Sequence, residues 1–220
     1  MKVALLGAPG AGKTTVAKRL AAALNREERL RYEAEHPDEQ KRKSGSATWK
    51  VIDGYVEHLA HRTGCLYGHN GDYSHNLQVM AERWTLEAEA LNKGYSTITC
   101  GSIYETILYS SLKEFMPITE QEIVMGRDYM QTTMRFFGWM ENQTYNYNEL
   151  FYLPLETPGH DWDAVIDAKL PEVLEGYFRS AIILTGTLRK KTKDALEVIR
   201  VLRDLNETPN PVAPDEQPTI

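Results

Sequence analysis

Residues 7–14 read GAPGAGKT, which fits G-x-x-x-x-G-K-[ST] without exception. A loop of this composition can turn successive backbone N–H groups toward one anion. Glycine adopts the unusual dihedrals this needs and leaves no side chain in the way. The lysine adds a positive charge, and the threonine adds a hydroxyl oxygen of the kind that holds Mg2+. This is chemistry for a polyphosphate. Lys13 is expected to reach the outer phosphates of a nucleotide, Thr14 to hold the metal ion and Thr15 to contact the α-phosphate. Gly7, Gly10, Ala11 and Gly12 complete the expected cradle.

Such a loop needs a strand before it and a helix after it, with the positive end of the helix facing the anion. Residues 2–6, KVALL, are an apolar run compatible with a buried parallel strand. Val16, Leu20 and Leu24 then recur at helical spacing over residues 14–24. Residues 26–50 are densely charged and read as an exposed helix followed by a mobile Ser/Gly loop. Four more short strands are expected at 49–52, 97–100, 150–153 and 181–184. Helical patterns lie at 55–62, 77–91, 103–115, 119–142 and 163–177, and a last helix runs to about 205. The alternation predicts an α/β fold: a five-stranded parallel sheet with helices on both faces, in a single domain over residues 1–205. Residues 206–220 are rich in proline and polar side chains and read as a disordered tail. Ligands of such sheets bind beyond the C-terminal strand ends.

The bulk properties narrow the function classes. With 25 Lys and Arg against 31 Asp and Glu, the net charge of −6 argues against a broad attraction to nucleic acid. The two cysteines, Cys65 and Cys100, read as reduced thiols of a cytoplasmic protein. The first residues lack the long apolar stretch of a signal peptide. No run approaches the roughly 20 apolar residues that cross a bilayer.

With this loop and this order of elements, the chain resembles the small P-loop kinases that act on nucleosides and nucleotides. In particular it resembles phage-encoded kinases and nicotinamide riboside kinase-like domains. The resemblance runs in element order from residue 1 to about 205. It implies a fold of P-loop kinase type, ATP and Mg2+ as cofactors, and transfer of the γ-phosphoryl group to a nucleoside or nucleotide. It leaves room for a homodimer. Two alternatives stay open. One is a polynucleotide kinase acting on a hydroxyl of DNA, at a 5′ end or on a hydroxymethylated base. The acidic balance speaks against it, although KRKSGS and LRKKTK could form a local basic channel. The other is a regulatory NTPase, but the Asn-Lys-x-Asp guanine motif of GTPases is missing from the sequence.

The resemblance also assigns roles by position. The second strand should end in an acid facing the acceptor, which falls on Asp53. A carboxylate there can accept the acceptor's proton or orient its hydroxyl; the same Asp-Gly pair is also a common turn former. Gln78 and Arg83, on the helix at 77–91, would meet the acceptor's base and its reacting end. Tyr55, Tyr67 and Tyr73 could stack on a base or simply furnish a surface loop. The third strand departs from pattern: it ends TCGS, and the nearest acid is Glu105. The stretch after the fourth strand lacks arginines, so Arg127 and Arg135 on the preceding helix become the candidates for stabilising the transferring charge. After the fifth strand, Gly186 and Thr187, with Arg189 beyond them, are expected beside the adenine. Cys100 reads as a small buried residue, not a nucleophile.

Overall fold

The computed structural model describes residues 1–36, 48–67, 71, 73–114, 135, 147–157, 161–176 and 180–207. Its first strand, β1 (Lys2–Leu6), is buried at every position. Such a strand needs a neighbour on each edge and a helical layer on each face. β2 (Trp49–Ile52) forms one edge of the sheet, and β3 (Ser96–Cys100) lies between it and β1, with Val3 opposite Ile98. On the other side lie β4 (Glu149–Tyr152), with Ala4 opposite Leu150, and then β5 (Ile182–Ile183). All pairings are parallel, and the order β2-β3-β1-β4-β5 puts β1 at the centre. β5 is shorter than the run 181–184. It is an edge strand, paired with β4 alone, and its Ile183 is 61% exposed.

The period-2 alternation of β1 sorts the core into two layers. Val3 and Leu5 pack with Val16, Leu20 and Leu24 of α1 (Lys13–Glu35), and with Ala195 and Ile199 of a long C-terminal helix. Ala4 and Leu6 point the other way. They meet Met80, Ile107, Leu108, Ile166 and Leu170 from three further helices. At the β2 edge, α2 (Tyr55–Thr63) packs Leu59 against Ile52 and Val79. The helices of the second layer are α3 (Tyr73–Asn92), α4 (Ile103–Glu114) and α5 (Asp161–Gly176). The C-terminal helix is α6 (Leu188–Glu207).

Helix boundaries differ from the sequence pattern where charge, not apolar spacing, does the work. α1 joins the apolar-spaced stretch to the exposed helix expected after it and runs unbroken to Glu35. Arg29–Glu33 and Arg31–Glu35 are i,i+4 pairs at 3.7 and 3.1 Å. Arg203 of α6 reaches Glu28 at 3.2 Å, and Arg200 pairs with Glu27. α3 begins at Tyr73, earlier than residue 77, and α6 continues to Glu207. The Ser/Gly loop before β2, residues 208–220 and, apart from Arg135, the helical pattern at 119–142 lie outside the described residues. Among the described residues, no helix is long and apolar enough to cross a membrane.

One polar group is built into the base of the sheet. Lys2 Nζ lies 2.5 Å from Glu87 Oε2, and both residues are buried. Thr99 Oγ1 and the Tyr147 hydroxyl donate to Glu87 Oε1 at 2.7 and 2.8 Å. This set ties α3 to β1 and β3 through the middle of the fold. Burial pulls the Lys2 ammonium below its ordinary pKa, and Glu87 opposes that fall. Removing one partner strands the other's charge in the interior, which costs about 3 kcal/mol or more. Lys2→Met should therefore lose about 3 kcal/mol in urea unfolding. A loss under about 1 kcal/mol would mean the pair is solvated, as exposed pairs are.

Candidate active site

At the end of β1 the backbone turns sharply at Gly7, where φ is 144°. A Cβ at Gly7 would lie 2.4 Å from the carbonyl oxygen of Leu153, so no larger residue fits. Gly10 and Gly12 also have positive φ, and Ala11 N donates to Ala8 O at 3.2 Å, closing the turn. Lys13 opens α1 and folds back over the loop: its ammonium donates to Gly7 O and, at 3.1 Å, to Ala8 O. Thr14 Oγ1 donates to Asp53 Oδ1 at 2.9 Å. Lys18 Nζ approaches the other Asp53 oxygen at 3.5 Å. The end of β2 thus meets the glycine loop directly.

A second group of polar side chains lies deeper. Arg83 is buried, and its Nε donates to the Tyr55 hydroxyl at 2.6 Å. Tyr55 in turn donates to the Cys100 carbonyl at the end of β3, at 2.8 Å. Burial works against the Arg83 charge. The oxygens of Tyr55, Tyr147, Glu105 and Glu87 outweigh it, so the pKa lies above the ordinary arginine value. Burial raises the Tyr55 phenol well above its usual range, so it stays protonated and keeps this role. Cys100 is pushed up to about 12, first by burial and then by Asp53. A protonated, buried thiol is no nucleophile.

The two groups line one cavity of about 540 Å³. Ala8 to Thr14, Asp53, Tyr67 and Arg83 border it, together with Asn76, Val79, Glu105, Thr106 and Tyr109. Asn76, Val79 and Arg83 are spaced three and four residues apart and share one face of α3. Gln78 is exposed and outside this lining. Gln78 and Arg83 are five positions apart on the helix, a rotation of about 140°, so the two face apart. Tyr67 stands at the rim with its ring edge-on to His75 at 5.8 Å. Tyr73 is the first residue of α3.

Other expected residues sit elsewhere. Thr15 is exposed, next to the loop but outside the cavity lining. Gly186 and Thr187 are exposed and outside it too; Thr187 Oγ1 caps α6 by accepting Lys190 N–H at 3.3 Å. Their neighbour Leu188 touches the loop from outside, 2.8 Å from where a Gly12 Cβ would stand. Arg135 is helical and exposed, and Arg127 lies outside the described residues. In LRKKTK, Lys190, Lys191 and Lys193 pair with Asp194, Glu156 and Glu197.

Glu105 is the acid that sequence reasoning noticed without using. It stands in the first turn of α4, buried, and its Oε1 accepts the Gly7 N–H at 2.9 Å. The readable signal is an acid in the first turn of a helix that follows a strand ending without one. Thr106 and Tyr109 follow Glu105 into the cavity along the same helix. The Thr14 hydroxyl with the Asp53 and Glu105 carboxylates makes a set of hard oxygen donors. Among the described residues no three His, Cys, Asp or Glu gather to hold a metal. Mg2+ takes one or two carboxylates and completes its shell with water and phosphate oxygens.

No protein-family model matches the sequence, and no curated protein matches it. Solved structures match the fold. A NadR protein in complex with NR superposes with a TM-score of 0.63 at 12% identity, over 91% of this chain and 48% of the NadR chain. NadR in complex with NAD and AMP-PNP gives 0.63 at 11% identity, with the same coverage. Thymidylate kinase from Candida albicans gives 0.55 at 15% identity, over 92% of both chains. The chain thus spans about half the length of the NadR chain and most of the thymidylate kinase. At these identities the likeness is one of fold alone, shared with the NadR and thymidylate kinase structures.

The Tyr55 bridge can be tested without a ligand. Tyr55→Phe leaves Arg83 Nε and the Cys100 carbonyl short of a buried partner, which should lower stability by about 1–3 kcal/mol. Thermal unfolding unchanged from wild type would show that the bridge holds nothing in place.

Proposed function

We propose that this chain is an ATP- and Mg2+-dependent phosphotransferase that moves the γ-phosphoryl group to a nucleoside or nucleotide. One observation carries this reading. The glycine loop and Asp53 are joined by the Thr14 hydrogen bond, and both open onto the cavity that Arg83 and α3 line. A phosphate cradle that only hydrolysed its nucleotide would have no need of an adjoining acceptor chamber.

The parts divide as phosphoryl transfer requires, which is mainly positioning and charge stabilisation. The loop N–H groups and Lys13 bind the outer phosphates, and Thr14 with Asp53 holds Mg2+. When bound, Mg2+ neutralises charge that builds on the phosphate oxygens. Asp53 orients the acceptor hydroxyl or accepts its proton. Arg83, fixed by Tyr55, faces the acceptor's reacting end. Arg127 and Arg135 are assigned to the transferring group, and Gly186 and Thr187 to the adenine. Among the described residues the cavity is bordered by two cations, Lys13 and Arg83, and three carboxylates, Asp53, Glu57 and Glu105. That balance favours transfer to a hydroxyl over transfer to a phosphate. The ion pairs within LRKKTK leave its lysines engaged, which weakens the case for a nucleic-acid channel there.

The test is an acceptor screen with labelled ATP and Mg2+, using nucleosides, nucleoside monophosphates, nicotinamide riboside, and oligonucleotides with normal or hydroxymethylated bases. Label should pass to a monomeric acceptor. Lys13→Ala and Asp53→Asn should each lower kcat/KM by about 100-fold or more. Transfer to oligonucleotides alone would move the acceptor to DNA. ATP hydrolysis with no acceptor labelled would refute the phosphotransferase reading in favour of an NTPase.

A further inference from the structure

Glu105 engages the glycine loop and its lysine at once. Its carboxylate is buried on the inner side of the glycine loop, where it accepts the Gly7 N–H at 2.9 Å and lies 3.7 Å from Lys13 Nζ. The structure makes room for it. Gly101, with φ of 93°, is placed so that a Cβ there would stand 2.6 Å from Glu105 Oε2. Lys13 is thus enclosed by two loop carbonyls and a carboxylate, all on the protein side.

This arrangement sets a problem for an incoming polyphosphate. The phosphates need Lys13, and Glu105 is charge-paired with it. The phosphates also bring like charge beside a carboxylate shielded from water, where repulsion is strong. A divalent cation resolves both difficulties, because it brings positive charge to the oxygens from which Lys13 departs.

We propose that Glu105 makes nucleotide binding depend on a divalent cation: paired with Lys13 and Gly7, it resists metal-free nucleotide and favours the metal complex. It acts through Lys13 and the metal's water shell, so it is a positioning residue. It fills from α4 the place that the acid-free end of β3 leaves. The proposal rests on the nucleotide-binding reading of the glycine loop.

The experiment measures the Kd of AMP-PNP for the full chain by calorimetry, in excess Mg2+ and in EDTA. Wild type should bind far more tightly with Mg2+. Glu105→Gln keeps an acceptor for the Gly7 N–H but removes the charge. It should bind metal-free nucleotide more tightly, and the ratio of the two Kd values should fall by about tenfold or more. A residue that only shaped the loop would leave that ratio unmoved. An unchanged ratio in a Glu105→Gln variant that melts like wild type overturns the proposal. Should that variant fail to fold, Glu105→Asp decides. Its shorter side chain draws the carboxylate back from Lys13, so the ratio should fall part-way, and an unchanged ratio overturns the proposal. Wild type that binds no nucleotide under either condition would overturn the loop reading itself, and the proposal with it.

Discussion

Gly7 is gripped from three sides. Its N–H is held by Glu105 of α4, its carbonyl by Lys13 of α1, and the Leu153 carbonyl beyond β4 closes on its α-carbon. The last of these contacts excludes every side chain at this position, and the first two fix the peptide planes on either side of it. The rest of the site hangs from that point. Lys13 cannot reach back unless α1 starts where it does, and α1 carries Thr14 to Asp53. Asp53 in turn sets where β2 ends against the loop. The glycine loop is therefore held in shape by groups on three different crossovers.

Charge is managed in two tiers. Deep in the sheet, Lys2 and Glu87 cancel each other and bind α3 to the strands. One helical turn nearer the strand ends, Arg83 is held by Tyr55 and Thr106 with its head group bordering the cavity. The lower pair is structural, because its hydrogen-bonding capacity is spent inside the protein. The upper guanidinium has five N–H groups, of which Nε–H goes to Tyr55 and one on Nη1 to Thr106 at 3.5 Å. Spacing on one helix thus sets a buried ion pair one turn below a cation that borders the cavity.

The glycine loop and the sheet were legible in the sequence because both rest on local rules. KVALL before GAPGAGKT demands a buried strand and a cradle, and four more apolar runs between helical patterns demand a parallel sheet. Arg83 and Asp53 could be placed from element order. Glu105 could not, since its role depends on α4 turning back over the loop. That approach is long-range: Gly7 and Glu105 are separated by 98 residues. The charged stretch after Leu24 was legible as a helix; that it continues α1 unbroken rests on charged pairs within α1 and to α6. Gln78 lies off the cavity face by helical phase, a local rule that the sequence does contain.

A crystal structure with AMP-PNP and Mg2+ would show whether this loop receives a nucleotide's phosphates while the cavity beside it takes an acceptor. Phosphates should be seated over residues 7–14, with Lys13 Nζ moved from the Gly7 and Ala8 carbonyls to the outer phosphate oxygens. The same structure should show the γ-phosphate facing Asp53 and Arg83. A nucleotide bound elsewhere on the chain, or one that leaves Lys13 on those carbonyls, would contradict the account.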